Sequence, residues 1–142
     1  MRFLRYFLVV VTLCAAGSAF AEEGVPKIVS EGFEIYQKYD NKAAVATWLK
    51  NSPVGTDANN AKVADTLSQI ETAYGRVLGF ELIRVVNLTP SMRRVYVLIR
   101  YERGPAYASY DCYFVQGAWI ISGLDFNTKM NEILPSNILG GN

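Results

Sequence analysis

The feature that most constrains the fold is a change of hydrophobic period near the middle of the chain. Before Gly75, apolar residues recur at helical spacing. After it, they form runs rich in Val, Ile, Tyr, Phe and Trp that turn residues separate. Segregated helix-type and strand-type segments are typical of α+β domains, in which the helices lie on one face of a single sheet. We therefore predict an α+β fold.

Three amphipathic segments precede the change. Their apolar faces hold Val29, Phe33 and Tyr36 in the first, Ala44, Val45, Trp48 and Leu49 in the second, and Val63, Leu67, Ile70 and Tyr74 in the third. Asp40-Asn41 can cap the second helix. Asn59 or Asn60 can cap the third, and Gly75 is placed to end it. We predict three N-terminal helices.

Four strand-type runs follow, at residues 80–88, 93–102, 107–115 and 119–126. The intervening turn signals are Thr89-Pro90-Ser91, Arg103-Gly104-Pro105 and Gln116-Gly117. Connections this short join antiparallel neighbours, so we predict a four-stranded antiparallel meander. The tail from Leu134, which ends in Gly140-Gly141-Asn142, is expected to be loose at its end.

The turns suggest a register. If Gln116-Gly117 is a two-residue turn, Phe114 faces Trp119 and Cys112 faces Ile121. If Gly104-Pro105 belongs to an even-length turn, Ile99 lies opposite Tyr110 and Val97 lies opposite Cys112. The helix-facing side would then hold Val95, Val97, Ile99, Tyr101, Ala108, Tyr110, Cys112, Phe114, Trp119, Ile121, Gly123 and Asp125. A slip of one residue would exchange the two faces.

The N-terminus has the three parts of a cleaved secretory signal. Arg2 and Arg5 precede an apolar stretch at residues 7–16, and Ala19-Phe20-Ala21 places small residues at the cleavage site. We predict cleavage after Ala21, a periplasmic or secreted location, and a single mature domain over residues 22–142 with its core at 28–130. A retained N-terminal anchor is the alternative.

Two absences narrow the chemistry. The chain has no histidine, which excludes Ser-His-Asp and Cys-His nucleophilic catalysis and the common zinc sites. After signal cleavage Cys112 is the one cysteine left, so no disulfide can form within the domain. We interpret Cys112 as a buried apolar residue. The alternatives are a disulfide between two chains and a reactive thiol. The chain has 14 Lys and Arg against 13 Asp and Glu, and loss of Arg2 and Arg5 with the signal leaves 12 against 13, so there is no basic excess for nucleic acid. We expect no cofactor and no metal.

The element order and a last strand that begins Gly117-Ala118-Trp119-Ile120-Ile121 and ends Asp125-Phe126-Asn127 resemble the nuclear-transport-factor-2-like superfamily, which includes ketosteroid isomerase and the SnoaL-like proteins. The resemblance covers about residues 28–130. It implies a cone-like fold in which a curved sheet wraps the helices and leaves a pocket at its wide end. In that superfamily the pocket serves as an active site or as a ligand cavity, or it is filled by side chains. Dimers often form through the outer face of the sheet.

Two hypotheses follow. The first is a non-catalytic module that binds a small apolar ligand or a protein partner; the alternative is a pocket enzyme of the ketosteroid-isomerase or epoxide-hydrolase type that uses Asp, Arg and Tyr. The candidate pocket residues are Arg84, Tyr101, Tyr110, Trp119 and Asp125. No catalytic set of the superfamily is reproduced, so no catalytic residue is assigned. A pocket filled by Phe33, Trp48 or Trp119 would favour the interaction module.

The structural interpretations of the same residues remain open: Arg84 as a rim cation, Asp125 as a turn residue and the two tyrosines as ordinary strand aromatics. A homodimer is expected through an apolar patch on the outer face of the sheet. Its predicted members are Leu98, Tyr113, Ile120, Leu124 and Phe126. No membrane contact is expected after signal cleavage.

Overall fold

The computed structural model describes residues 24–140, so the predicted signal peptide lies outside the described residues. The described residues begin with three helices: α1 (Lys27–Lys38), α2 (Asn41–Trp48) and α3 (Asp57–Tyr74). Four strands follow: β1 (Val77–Thr89), β2 (Met92–Tyr101), β3 (Gly104–Val115) and β4 (Ala118–Asn127). A short helix, α4 (Met130–Ile133), comes after the last strand. The strands form one antiparallel sheet in the order β1-β2-β3-β4. The α+β class is confirmed. Within residues 24–140, no helix is long and apolar enough to span a bilayer.

Local capping chemistry sets the helix ends. The Asp40 side chain accepts a hydrogen bond from the Ala43 backbone N–H at 2.8 Å, which confirms it as the cap of α2. The cap of α3 is Thr56, whose hydroxyl accepts from Asn59 N–H at 3.2 Å, so the predicted cap at Asn59 or Asn60 is wrong. Gly75 ends α3 at a φ of 86°, a conformation that favours glycine.

The β3–β4 hairpin has the predicted register. Phe114 lies opposite Trp119 and Cys112 opposite Ile121. The connection is Gln116-Gly117, with φ values of 50° and 78°, as a two-residue turn that matches the twist of the strands requires.

The predicted β2–β3 register is wrong. The turn is Glu102-Arg103, so Gly104 belongs to β3 and pairs with Tyr101. Val97 therefore faces Ala108 rather than Cys112. The shift is an even number of residues, so the two faces are not exchanged. The predicted helix-facing residues of β2 and β3 that lie in the core are Val95, Val97, Ile99, Tyr101, Ala108, Tyr110 and Cys112.

A bulge in β4 exchanges its two faces. Cys112 pairs with Ile121 but Asp111 pairs with Gly123, which leaves Ser122 as the extra residue. Beyond it, Phe126 turns toward the helices and is 7% exposed. The prediction that Asp125 faces the helices is therefore wrong.

The outer face of the sheet is partly covered by the C-terminal segment. Ile133 and Leu134 are buried against Tyr96 of β2, and the partly buried Tyr107 and Ile138 join them. Leu134, at the start of the C-terminal tail, is thus part of a second, smaller core. This packing removes some of the apolar surface that the sequence leaves on that face.

Candidate functional site

Aromatic rings fill the space between the helices and the sheet. Phe33 lies with its ring centroid 4.1 Å from that of Phe80 and 5.6 Å from that of Tyr110. Trp48 lies 5.3 Å from Tyr110 and 5.7 Å from Phe126, centroid to centroid. Phe33, Trp48 and Tyr110 are fully buried. The centre of the domain is therefore filled by its own side chains.

Two of the predicted pocket residues, Tyr101 and Tyr110, lie in this core. Tyr110 is fully buried, and its hydroxyl has no hydrogen-bond partner among the described residues. Burial raises the pKa of Tyr110 well above its ordinary value of 10.0, because the phenolate would lie in an apolar environment. This hydroxyl is a neutral, unused donor inside the fold.

The Tyr101 hydroxyl belongs to a chain of side-chain hydrogen bonds that ends at a carboxylate. The Tyr36 hydroxyl donates to Glu71 Oε1 at 2.6 Å and lies 2.9 Å from the Tyr101 hydroxyl. A phenol has one proton, so the donation from Tyr36 to Glu71 leaves Tyr101 as the donor to Tyr36. The order of donation is therefore Tyr101, Tyr36, Glu71.

Burial is the main cause of the raised pKa values of Tyr101 and Tyr36. It raises the pKa of Tyr101 to about 12, and the Glu71 carboxylate adds to the increase. It also raises the pKa of Tyr36, to which the neighbouring Tyr101 and the hydrogen bond to Glu71 contribute. Both phenols are consequently protonated donors over the whole physiological range of pH.

Glu71 opens onto a cleft of about 480 Å³. The cleft lies where α1 and α3 end and α2 begins, and its lining residues are Tyr36, Gln37, Tyr39, Asp40, Asn41, Glu71, Gly75, Arg76 and Val77. The buried Asn41 amide donates to both Glu71 oxygens at 3.3 Å and to the Ser68 hydroxyl at 2.9 Å. Neutral donors thus hold the carboxylate in one orientation.

The other predicted pocket residues lie elsewhere. Arg84 is exposed and pairs with Tyr96 of β2, after an irregularity that places Leu82, rather than Arg84, opposite Val97. Asp125 is exposed, pairs with Ser109, and accepts a hydrogen bond from the Phe126 backbone N–H at 2.9 Å. The structure therefore does not bring Arg84 and Asp125 to Tyr101 and Tyr110.

Trp119, the fifth predicted residue, lies at the opposite end of α1 from the tyrosine chain. It lines a cleft of about 540 Å³ with residues of α1 and α2, including Lys27 and Glu31, and with Lys50, which follows α2. The Arg93 guanidinium lies 4.4 Å from the centroid of its ring. Trp119 is partly buried and does not reach the centre of the core.

Cys112 is a buried residue of the core. Burial raises the pKa of its thiol to about 12, so the reactive thiolate is scarce at neutral pH. Within residues 24–140, no three His, Cys, Asp or Glu side chains are close enough together to hold a metal ion.

Sequence reasoning missed Glu71 and Asn41 as parts of one polar site. Tyr36 was identified as a core position of α1, but its hydroxyl meets partners 35 and 65 residues away. One local signal was present: Glu71 directly follows Ile70, a residue of the buried face of α3, so its carboxylate had to lie at the border of the core.

Comparison with protein-family models and with curated proteins finds no match to this chain.

Proposed function

We propose that this chain is an exported, non-catalytic interaction module with a cone-like fold of the nuclear-transport-factor-2-like type. The observation that carries the proposal is the filled interior. A pocket enzyme or a ligand cavity of this type needs open space between helices and sheet, and here Phe33, Trp48 and Phe126 fill that space. Recognition must then use the outer surface of the domain.

The positions of the polar candidates support the same proposal. Tyr101 and Tyr110 lie within the core, whereas Arg84 and Asp125 are exposed and pair with residues of the other sheet face. An acid, a base and an oxyanion donor must surround one reacting atom to act together. These four residues do not converge in that way.

The experiment is native mass spectrometry of the protein purified from an exporting host, together with NMR titration by benzene. We expect the mass of the polypeptide or its dimer, and no benzene-induced shifts of core resonances. Phe126→Ala is the matched positive control, because removing a buried ring leaves an apolar cavity that can take such a probe. A stoichiometric small molecule in the core of the unsubstituted protein would overturn the proposal.

A second candidate function is the binding of a small cationic ligand in the Glu71 cleft. It is favoured by the carboxylate itself, which has only neutral hydrogen-bond donors and no cation within 4.0 Å among residues 24–140. Calorimetric titration with simple alkylammonium ions tests it. Glu71→Gln should abolish the heat of binding and Glu81→Gln, a carboxylate of β1 outside the cleft, should not. Absence of binding to the unsubstituted protein would reject this candidate.

A further inference from the structure

Exposed apolar side chains collect at the end of the sheet that holds the β1–β2 and β3–β4 turns. Leu88, Tyr113 and Phe114 are 58%, 42% and 41% exposed. The Phe114 ring centroid lies 5.2 Å from that of Trp119, and its backbone N–H donates to Ser91 O in the β1–β2 turn at 2.8 Å. We call Leu88, Tyr113, Phe114 and Trp119 the aromatic end.

Cationic side chains border the aromatic end. The Arg93 guanidinium lies over the Trp119 ring, and Lys27 and Lys50 line a cleft together with Trp119. Glu31, which is 3.3 Å from the Lys27 ammonium, is the one acidic residue in that lining. Among residues 24–140, this surface therefore combines apolar rings with three cationic side chains and one acidic side chain.

The N-terminal segment joins the domain at this same end. Gly24 is the first described residue, and its carbonyl accepts a hydrogen bond from Arg93 Nη1 at 2.9 Å. Residues 1–23, with their apolar stretch at 7–16, therefore connect to the domain beside Trp119. If a membrane holds that stretch, before cleavage or as a retained anchor, the chain tethers the domain to it at the end that holds Gly24 and Arg93.

We propose that the aromatic end docks on an anionic lipid surface. Aromatic rings favour the boundary between headgroups and acyl chains, and Lys and Arg beside them are attracted to anionic headgroups. Lys27, Lys50 and Arg93 supply that attraction here. The inference rests on the proposed function, since it names the partner of the interaction module. It departs from the expectation that membrane contact ends when the signal is removed.

The two tryptophans of the chain provide a direct test. Trp48 is fully buried in the core, whereas Trp119 lies at the surface end. The exported protein is mixed with vesicles of phosphatidylglycerol and brominated phosphatidylcholine in equal parts. We expect a blue shift of the Trp119 emission and quenching by the brominated chains, both weakened by high salt and by replacing the anionic lipid. The Trp119→Phe variant supplies the signal of Trp48 alone.

Matched variants locate the contact. Tyr113→Ser is compared with Tyr39→Ser, which removes an exposed tyrosine at the far end of α1. The double variant Lys27→Gln, Lys50→Gln is compared with the double variant Lys42→Gln, Lys62→Gln, which removes the same charge from exposed positions of α2 and α3. We expect several-fold weaker vesicle binding from the first member of each comparison and no change from the second.

Unquenched Trp119 on protein that sediments with the vesicles would overturn the proposal, because a leader segment alone would then hold the chain. Equal vesicle binding by Tyr113→Ser and Tyr39→Ser would also overturn it. Binding of an acidic peptide that protects Trp119 while anionic vesicles leave it unquenched would point to a protein partner instead. None of these outcomes depends on whether the core is empty of ligand, so the lipid proposal and the filled-interior proposal can fail separately.

Discussion

At the scale of single residues, the contact between α1 and α2 depends on a glycine. A Cβ atom added at Gly32 would lie 1.9 Å from Nε1 of Trp48, an indole that is fully buried and donates to Val29 O at 3.0 Å. Because the indole has no free space into which it could move, the two helices can approach this closely only with glycine at position 32.

We therefore expect Gly32→Ala to destabilise the fold. Alanine improves helix propensity by up to about 1 kcal/mol, but overpacking against a buried ring costs about 1–3 kcal/mol and the Trp48 hydrogen bond is lost as well. Chemical denaturation measures the difference. Gly79→Ala is the control, because its Cβ would meet only the end of the Arg100 side chain at 3.7 Å. Equal stability of the two variants would contradict the argument.

The buried Cys112 thiol predicts how stability depends on alkaline pH. Its pKa is raised from 9.0 to about 12, so folding favours the protonated thiol. The contribution of the protonated thiol to the free energy of unfolding is complete below pH 9. It is lost as the pH rises toward 12, at about 1.4 kcal/mol per pH unit. The buried tyrosines have an ordinary pKa of 10.0, so they contribute to the pH dependence of stability only above pH 10.

Cys112→Ala should consequently flatten the stability profile between pH 9 and 10, the interval in which the thiol titrates before the tyrosines. Guanidinium denaturation at a series of pH values measures it. Cys112→Ser gives the second comparison, since it removes the same titration but buries a hydroxyl. An unchanged slope in both variants would contradict the assignment.

At the scale of secondary-structure elements, the β2–β3 turn holds the end of α3. Arg103 N–H donates to Tyr74 O at 2.8 Å, and its guanidinium donates to Ala73 O at 3.1 Å and to Thr72 O at 3.4 Å. The last carbonyls of a helix have no partner within the helix, so these bonds from the turn satisfy them. This contact fixes the end of α3 relative to the sheet.

Arg103→Ala is expected to cost about 1 kcal/mol, because the side-chain hydrogen bonds to α3 are lost while the backbone bond stays. Arg76→Ala is the matched control: Arg76 is 78% exposed and its ion pair with Glu102 is 3.8 Å long, so its loss should have little effect. Thermal unfolding of both variants measures the difference. A larger loss from Arg76→Ala would contradict the role given to Arg103.

At the scale of the whole molecule, the structure reduces the patch available for a homodimer. Leu124 and Phe126 pack on the core instead of the outer face, so only Leu98, Tyr113 and Ile120 of the expected patch remain there. Tyr113 is the most exposed of the three, while Leu98 and Ile120 are partly buried. Homodimerisation through this smaller patch stays a proposal.

Sedimentation velocity tests it at concentrations of tens of micromolar, where a dimer of moderate affinity would be populated. We expect a dimer that Ile120→Glu converts to monomer, because a charge would be buried in the interface. Lys62→Glu, which places the same charge at an exposed position of α3 away from the sheet patch, serves as the control. A monomer at every concentration would exclude the dimer.

Local features of the sequence were enough to predict the helices, the strands and the register of one hairpin. The spacing of Val29, Phe33 and Tyr36, the cap at Asp40 and the glycine at position 75 act within a few residues, and each has the predicted effect. The Gln116-Gly117 turn likewise determines the β3–β4 register, because a two-residue turn of this conformation leaves one choice of pairing.

The side-chain positions and contacts that only the tertiary structure decided involve residues far apart in the chain. The bulge at Ser122 moved Phe126 into the core and Asp125 out of it, and the chain from Tyr101 through Tyr36 to Glu71 joins β2, α1 and α3. Burial of Ile133 and Leu134 on the outer face is of the same kind. Periodicity and capping report interactions within a turn or two, whereas these arrangements are set by competition for burial among all the elements at once. The sequence alone therefore determined the α+β order of elements, and the packing decided which side chains are open to a partner.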